Sequence, residues 1–419
     1  MARRSRNLVA LDIGSRKTCV LIGAPEAAAP GGPDPIGAGE ANIRLLGSGI
    51  AESRGTRRGV IVNLEMTVAC IRQAVQQAEA AAGVTVESAM VGIAGTHLKS
   101  VNSRGGVSLG SRPRDITRED VRAAVDAARA VSLPEDREVI HVLPQEFLLD
   151  AQNGIRDPIG MIGSRLEANV HIVTASATAT QNVVTAANRA GVLVADTVLE
   201  PLAAADACLS ADEKELGVAL IDIGGGTSEL IVFEHGAVRH TGVIPVGGDH
   251  FSNDVAVGLR TPIPEAERIK CRYGCALFDI LKEDQAIEIT SVGDRPPRTV
   301  FQRALCDILG PRAQELMTLI RDELQRRSNE RALGAGVVLT GGGARLHGMI
   351  EVAERILEKP VRLAIPRRLS NMPPDIEQPE YSAAVGLLLY AGRLERLEQQ
   401  RHVGFGERLK KLMRGEGWN

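Results

Sequence analysis

Two aspartates, each closing an apolar strand and opening a glycine turn, are the residues of this sequence best suited to chemistry. Asp12 lies in V-A-L-D-I-G-S-R-K-T-C-V-L-I and Asp222 in A-L-I-D-I-G-G-G-T-S-E-L-I-V. A glycine has no Cβ, so its backbone N–H can come close to a phosphate oxygen. The turns Gly14-Ser15-Arg16-Lys17 and Gly224-Gly225-Gly226-Thr227 are both able to do this. Ser15 and Thr227 add hydroxyl donors and Lys17 adds positive charge. An aspartate at the strand end before each turn suits Mg²⁺ held through water, because that ion gives up its hydration shell reluctantly. Neither run fits G-x-x-x-x-G-K-[ST] or G-x-G-x-x-G, which argues against P-loop and dinucleotide sites. Taken singly, each hairpin reads better as an ordinary β-turn.

A third run, Leu339-Thr340-Gly341-Gly342-Gly343-Ala344, falls between a strand and a helix. There it can wrap a base and ribose or aim a helix N-terminus at a phosphate. Asp12 and Asp222 stand 210 residues apart, half the length of the 419-residue chain, and the blocks around them align strand for strand. A repeat of that period predicts two similarly folded lobes facing one cleft.

Composition narrows the function classes. The chain is long enough for two or more domains. Apolar content of 44% and charged content of 24% are those of a globular protein. A net charge of −3 and only 2% aromatic residues leave little for polyanion binding or base stacking, so nucleic acid is not an expected partner. The basic stretch Met1 to Asn7 runs directly into a strand without an apolar signal region. No apolar run approaches the ~20 residues that cross a bilayer. Six scattered cysteines read as reduced thiols. Cys271 and Cys275 are spaced to share a helical face, yet no nearby pair completes a four-ligand zinc site.

The elements that must position these turns follow from periodicity and breakers. Strands are expected at Leu8 to Ile13, Thr18 to Ile22 and Arg44 to Ala51, with residues 24–41, rich in Ala, Gly and Pro, as a surface loop. A helix is expected from Leu64 to Ala82, closed by Gly83. Residues 84–167 change texture, with short strands (Ala89 to Ile93, Val139 to Leu143, Glu146 to Leu149) around one helix. That helix is capped by Thr117 with Asp120 at its third position, and the whole reads as an inserted α+β subdomain. A helix near Ala177 to Ala190 precedes a second β-rich start at Leu216. Residues 251–330 read as mostly helical and charged, with a polar hairpin at Ile287 to Val300. A strand at Gly336 to Leu339 leads into the third glycine run. A proline-rich connector, Asn371 to Pro379, leads to a last helix from Tyr381 to about Arg401.

The order D-I-G, D-I-G-G-G-T and T-G-G-G-A resembles the actin, sugar-kinase and heat-shock-chaperone superfamily. The resemblance implies an α/β, actin-like two-lobed ATPase fold. ATP would lie between the lobes, with Asp12 and Asp222 around Mg²⁺. Glu200-Pro201-Leu202-Ala203-Ala204-Ala205 looks like the superfamily segment whose glutamate orients the hydrolytic water. A carboxylate opening a helix, stabilised by its dipole, is the plainer reading of Glu200. Glu267 and Lys270 match the E-x-x-K helix that contacts adenosine in relatives, although as a bare pattern they are an i, i+3 surface pair.

The inserted segment selects among members. Ile140-His141-Val142-Leu143-Pro144-Gln145-Glu146-Phe147 and Asp157-Pro158-Ile159-Gly160-Met161-Ile162-Gly163-Ser164 are similar to FtsA, the bacterial division actin. So are Gly59 to Asn63, Gly258 to Pro262, Gly310-Pro311-Arg312 and Tyr381 to Tyr390, in order along nearly the whole chain. Residues 1–83 would then form the first-lobe core, completed by 168–200 and 380–401, with 84–167 as its inserted subdomain. Residues 201–250 and 331–379 would form the second-lobe core, and 251–330 its upper subdomain. The resemblance implies a polymer that binds the C-terminal tail of FtsZ through 251–330 and recruits later division proteins at the cytoplasmic face of the inner membrane. Any ATPase would be slow and serve as a switch. A pilus-associated FtsA relative and a small-molecule kinase of the same fold are the alternatives.

The last residues, 402–419, read as a linker and a membrane-targeting tail. On a helical wheel Phe405, Leu409, Leu412 and Met413 fall within an arc of roughly 100°, opposite Glu407, Lys411 and Arg414. Arg408 and Lys410 flank the arc, where their stems can snorkel. About ten residues reach roughly 15 Å, too short to span a bilayer but suited to lying in its interface. Trp418, the only tryptophan, fits an interfacial anchor. A terminal helix packed on the protein's own core is the other reading.

Overall fold

The computed structural model describes residues 7–26, 42–293, 295–327 and 333–413, with side chains described as far as residue 397. The 24–41 loop therefore lies mostly outside the described residues, as does Trp418.

Two sheets are built on one plan. In the first, strand Leu8–Ile13 pairs antiparallel with Lys17–Pro25 and, on its other side, parallel with Ser88–Ile93. In the second, Val218–Ile223 pairs antiparallel with Ser228–Glu234 and parallel with Val337–Thr340. The register repeats as well: Asp12 faces Cys19 and Asp222 faces Glu229. Leu8–Ile13 is buried along its whole length, which is why it reads as a continuous apolar run rather than an alternating one. The first sheet is completed by Leu193–Leu199, Ile43–Glu52 and Leu369–Ser370, and the second by Ala237–Ile244 and Val361–Leu363.

Helices cover both faces of the first sheet. Leu64–Ala82 packs on strand Ile43–Glu52, and its Asn63 cap accepts the Met66 N–H at 3.1 Å. Gly83 closes it in the left-handed region at φ 67°. On the opposite face, Glu200–Cys208 lies against the final helix, where Gly386 meets the backbone of Ala203 so closely that no side chain fits between them.

The inserted segment is a four-stranded antiparallel sheet, ordered Gln152–Ile155, Arg137–Leu149, Arg165–Ser176, Lys99–Ser108. Helix Arg118–Arg129 covers it, entered through the expected Thr117 and Asp120 capping box. Three details differ from expectation. The two short strands around Pro144 are one 13-residue strand, because a register shift beside Val170 lets the chain pass the proline, which has no N–H to give. Lys99–Ser108 is an additional strand whose polar sequence hides it. Cys275 lies beyond the end of helix Ile263–Tyr273 and is buried, whereas Cys271 is exposed on it, so the two share no helical face.

The last helix also runs further than expected. It extends from Ser382 to Met413 without the break expected near Gly404. No proline interrupts it, and each glycine, Gly404 and Gly406 included, weakens a helix by only about 1 kcal/mol. The side chains of Phe405, Leu409, Leu412 and Met413 lie outside the described residues. Among the described residues no helix is long and apolar enough to cross a membrane.

Candidate functional site

The two hairpin turns meet across a cleft of about 550 Å³ that lies between the sheets. Each is closed by the same bond: Gly14 N–H donates to Lys17 O at 3.0 Å, and Gly224 N–H to Thr227 O at 2.9 Å. Ser15 Oγ accepts the N–H of Gly59 at 3.4 Å, joining the first turn to the loop that follows strand Thr56–Arg57. Gly225 and Gly226 face Arg16 and Ser15 so closely that a Cβ on either glycine would collide with the opposite turn. The third run arrives from the second sheet. Gly341 has φ 84°, a conformation open to glycine, and abuts the Asp222 carboxylate and the Ile223 carbonyl. Gly342 and Gly343 line the cleft beside it, while Ala344 is buried behind them in the second-lobe core.

Glu267 and Lys270 line the far end. Lys270 Nζ donates to Glu267 Oε2 at 2.8 Å, to Gly248 O at 3.0 Å and to Ser252 Oγ at 3.0 Å. The carboxylate of Glu267 also takes the Ser252 hydroxyl and Nη2 of Arg16, the latter at 2.9 Å. These bonds make the pair part of a network rather than an isolated surface pair.

At the cleft floor four carboxylates converge. Asp12 and Glu200 come from the first lobe, Asp222 and Glu229 from the second. Lys17 Nζ reaches Asp12 Oδ2 at 3.1 Å and lies 4.9 Å from the centre of the Tyr381 ring. Burial works against the Lys17 charge, but Asp12, Cys19 and Tyr381 together outweigh it and hold the ammonium above its ordinary range. Burial pushes the Asp222 carboxyl up to about 7, with Asp12 adding to the shift and Lys17 opposing it. Glu229, buried beside Asp222, is pushed up to about 8 even though it accepts the Gly95 N–H at 2.6 Å. Glu200 is raised well above its usual value by burial and by Asp12, Glu229 and Asp222. One ammonium among four carboxylates, two buried and two half-buried, leaves a site that favours added positive charge. Among the described residues no three carboxylate, imidazole or thiol groups sit close enough to ligate one ion directly. A hydrated Mg²⁺ held through water fits this donor set better than a bare one.

All the residues picked out by the sequence around the cleft, except the buried Ala344, line it. Sequence reading passed over Glu229, Gly95, Asp249 and Arg345. Glu229 was findable, since the 210-residue repeat sets it in the place held by Cys19 opposite Asp12.

Comparison with known proteins follows the same outline. The model of "Cell division protein FtsA" matches residues 219–386, and that of the "SHS2 domain inserted in FTSA" matches residues 95–174. The cell division protein FtsA of Pseudomonas aeruginosa is 45% identical over 383 residues, covering 91% of this chain and 88% of that protein. That of Escherichia coli K12 is 36% identical, covering 91% and 90%. That of Bacillus subtilis is 36% identical, covering 95% and 86%. Among solved structures, the PilM–PilN type IV pilus biogenesis complex aligns with a TM-score of 0.63 at 16% identity, over 92% of this chain and 98% of that one. An MreB of Spiroplasma citri bound to ADP aligns with a TM-score of 0.53 at 14% identity, over 95% and 98%. At such identities the likeness shows an actin-like two-lobed fold and nothing finer.

Proposed function

The chain belongs to the FtsA family of cell-division proteins, and from that premise we propose that it is an ATP-switched polymer that tethers FtsZ to the membrane. The observation that carries the nucleotide reading is the meeting of three glycine turns, distant in sequence, around one carboxylate-floored cleft. Backbone N–H groups of the Gly14 and Gly224 turns suit the phosphates. The Gly341–Gly343 run and the Glu267–Lys270 network suit the nucleoside. Asp12 and Asp222 hold hydrated Mg²⁺, which offsets the buried negative charge and neutralises phosphate oxygens. Glu200, at the start of its helix and facing Asp12, is placed to orient a water. Its raised proton affinity, set by burial and the neighbouring carboxylates, favours slow hydrolysis, used for switching.

Residues 251–330 are the surface for the FtsZ tail, and the chain self-associates and recruits later division proteins. Residues 402–419, with Phe405, Leu409, Leu412, Met413 and Trp418, supply a weak interfacial anchor. Assembly into a filament multiplies such anchors and raises avidity. This puts the protein at the cytoplasmic face of the inner membrane at the division site.

Co-sedimentation with anionic liposomes tests the anchor. The full chain should pellet and a truncation after Arg401 should not, while equal pelleting of both would end that part of the reading. For the cleft, Asp222→Ala should lose Mg²⁺-dependent ATP binding in equilibrium dialysis, and unchanged affinity would refute it.

A further inference from the structure

Arg16 is one of three places near the turns where a charge breaks the internal repeat, beside Lys17 against Thr227 and Glu229 against Cys19. Its counterpart 210 residues on is Gly226, so only the first turn carries a long cation. The stem of Arg16 lies along the opposite turn, since a Cβ built on Gly225 would come within 2.6 Å of Arg16 Cγ. Its guanidinium continues across the cleft to two helices of the second lobe. Nε donates to the Asp249 carboxylate on Gly248–Leu259, and Nη2 to Glu267 Oε2 on Ile263–Tyr273 at 2.9 Å. The two acceptors differ in what else they hold. Glu267 also takes Lys270 and Ser252, so it keeps partners without Arg16. Asp249 is pinned through its backbone, donating its N–H to Gly225 O at 2.8 Å, and among the described residues its carboxylate pairs with Arg16.

We propose that Arg16 is a cross-cleft strap whose guanidinium is shared in competition between Asp249 and the phosphates of a nucleotide, with Asp249 as the competing anion. The inference rests on the nucleotide reading above and adds a determinant of affinity to it. A planar guanidinium binds carboxylate and phosphate by the same two-pronged geometry, and the more highly charged phosphate is the better acceptor. The strap crosses the Gly224–Thr227 turn, where phosphates would approach those backbone N–H groups. Both partners are 42% exposed. A pair so open to solvent is weak enough to exchange, shifting an equilibrium by no more than about fivefold. A fixed structural pair, by contrast, would be buried and saturated, as Asp206 is between Lys214 and Arg393.

A double-mutant cycle on the full-length chain tests this, read by titration with a fluorescent ATP analogue and Mg²⁺ at low ionic strength. Asp249→Asn should tighten binding about two- to fivefold. Arg16→Ala should weaken it, and adding Asp249→Asn in that background should change nothing. Arg16→Lys, which keeps the charge but cannot span two acceptors, should lose most of the coupling and guards against misfolding of the alanine variant. A gain from Asp249→Asn that persists without Arg16 would mean only that a repelling carboxylate had been removed, and would overturn the strap. An unchanged or weaker affinity in Asp249→Asn would overturn it too. If the wild-type chain bound no nucleotide, the functional reading itself would fail and the strap with it.

Discussion

Acid should loosen the junction between the inserted sheet and the second lobe, and His171 sets the amount. This residue, 1% exposed on the central strand Arg165–Ser176, faces strand Ala237–Ile244 of the second lobe. Its Nδ1 lies 2.6 Å from Asn102 Oδ1 and its Nε2 2.9 Å from Thr241 Oγ1. The Asn102 amide is oriented by its own donation to Arg239 O at 3.1 Å. The network is therefore complete with a neutral imidazole, Nδ1 donating and Nε2 accepting. The facing titratable group is His240, at 6.5 Å between ring centres and bonded at 3.0 Å to Glu323. Burial, with His240 adding to it, pushes the His171 imidazole down to about 3.

A histidine depressed in the folded state binds its proton more readily when unfolded. Stability is then fully present above the unfolded value, ~6.5, and is lost as pH falls through it toward the folded value. Integrating from pH 7 to pH 5 gives a loss of about 2 kcal/mol. The figure is insensitive to the folded value, because at pH 5 any value below about 4 leaves the native imidazole neutral. His97 and His141, also depressed by burial, tilt the profile the same way. The comparison of wild type with His171→Gln isolates one of the three. Hydrogen exchange at the amides of Arg165–Ser176 and Ala237–Ile244, corrected for intrinsic rates, reports the local opening free energy. Wild type should lose about 2 kcal/mol more than the variant over this range. Equal losses in both would refute the reasoning.

Gly226→Ala would set a methyl 2.7 Å from Ser15 Oγ and 2.9 Å from Arg58 N, forcing the two turns apart. Overpacking of this kind costs roughly 1–3 kcal/mol of folding stability, so the melting temperature should fall, and affinity for the ATP analogue, measured by titration, should fall with it as the two turns part. Asp206 is buried between Lys214 at 2.8 Å and Arg393 at 2.7 Å, and despite the cost of burial these cations hold its carboxyl below the usual range. Asp206→Ala removes the shared partner of both cations, but Arg393 is half-exposed and Lys214 keeps the Phe233 ring at 5.0 Å, so it should destabilise the chain by about 1–3 kcal/mol in thermal melting, more than Asp206→Asn does. The stability that Asp206 contributes should persist above its unfolded value and fade as pH falls through the folded one.

What the sequence makes legible is whatever a short stretch of chain decides alone. The turns at Gly14–Lys17 and Gly224–Thr227 are local, and so are the Thr117–Asp120 box and the Gly83 stop. Glu229 and Asp249 are not local. Each acquires meaning only when a strand or helix of one lobe meets a turn of the other, as Glu229 does on reaching the Gly95 N–H. In its own strand Glu229 reads as a polar interruption. Lys99–Ser108 fails for a related reason: its residues alternate between half-buried and exposed on an edge, so no apolar pattern marks it. Pro144 misleads in the opposite direction, since it signals a strand end that the register shift beside Val170 removes.

The final helix joins two features that the sequence presents as separate. Thr340, the last strand residue before Gly341, bonds through its hydroxyl to that of Ser382 at 2.7 Å, both fully buried. Ser382 opens the helix that runs to Met413. Thirty-two helical residues extend about 48 Å, so the helix reaches from the wall of the cleft to the proposed membrane tail. Along the way it packs on the helix that Glu200 opens. A hinge near Gly404 would have let the tail swivel independently of the lobes. A continuous helix instead makes the tail's direction a property of the first lobe. Under the proposed function, a shift of the Gly341–Gly343 run against the first lobe acts first on Ser382, at the root of the same helix that carries the anchor.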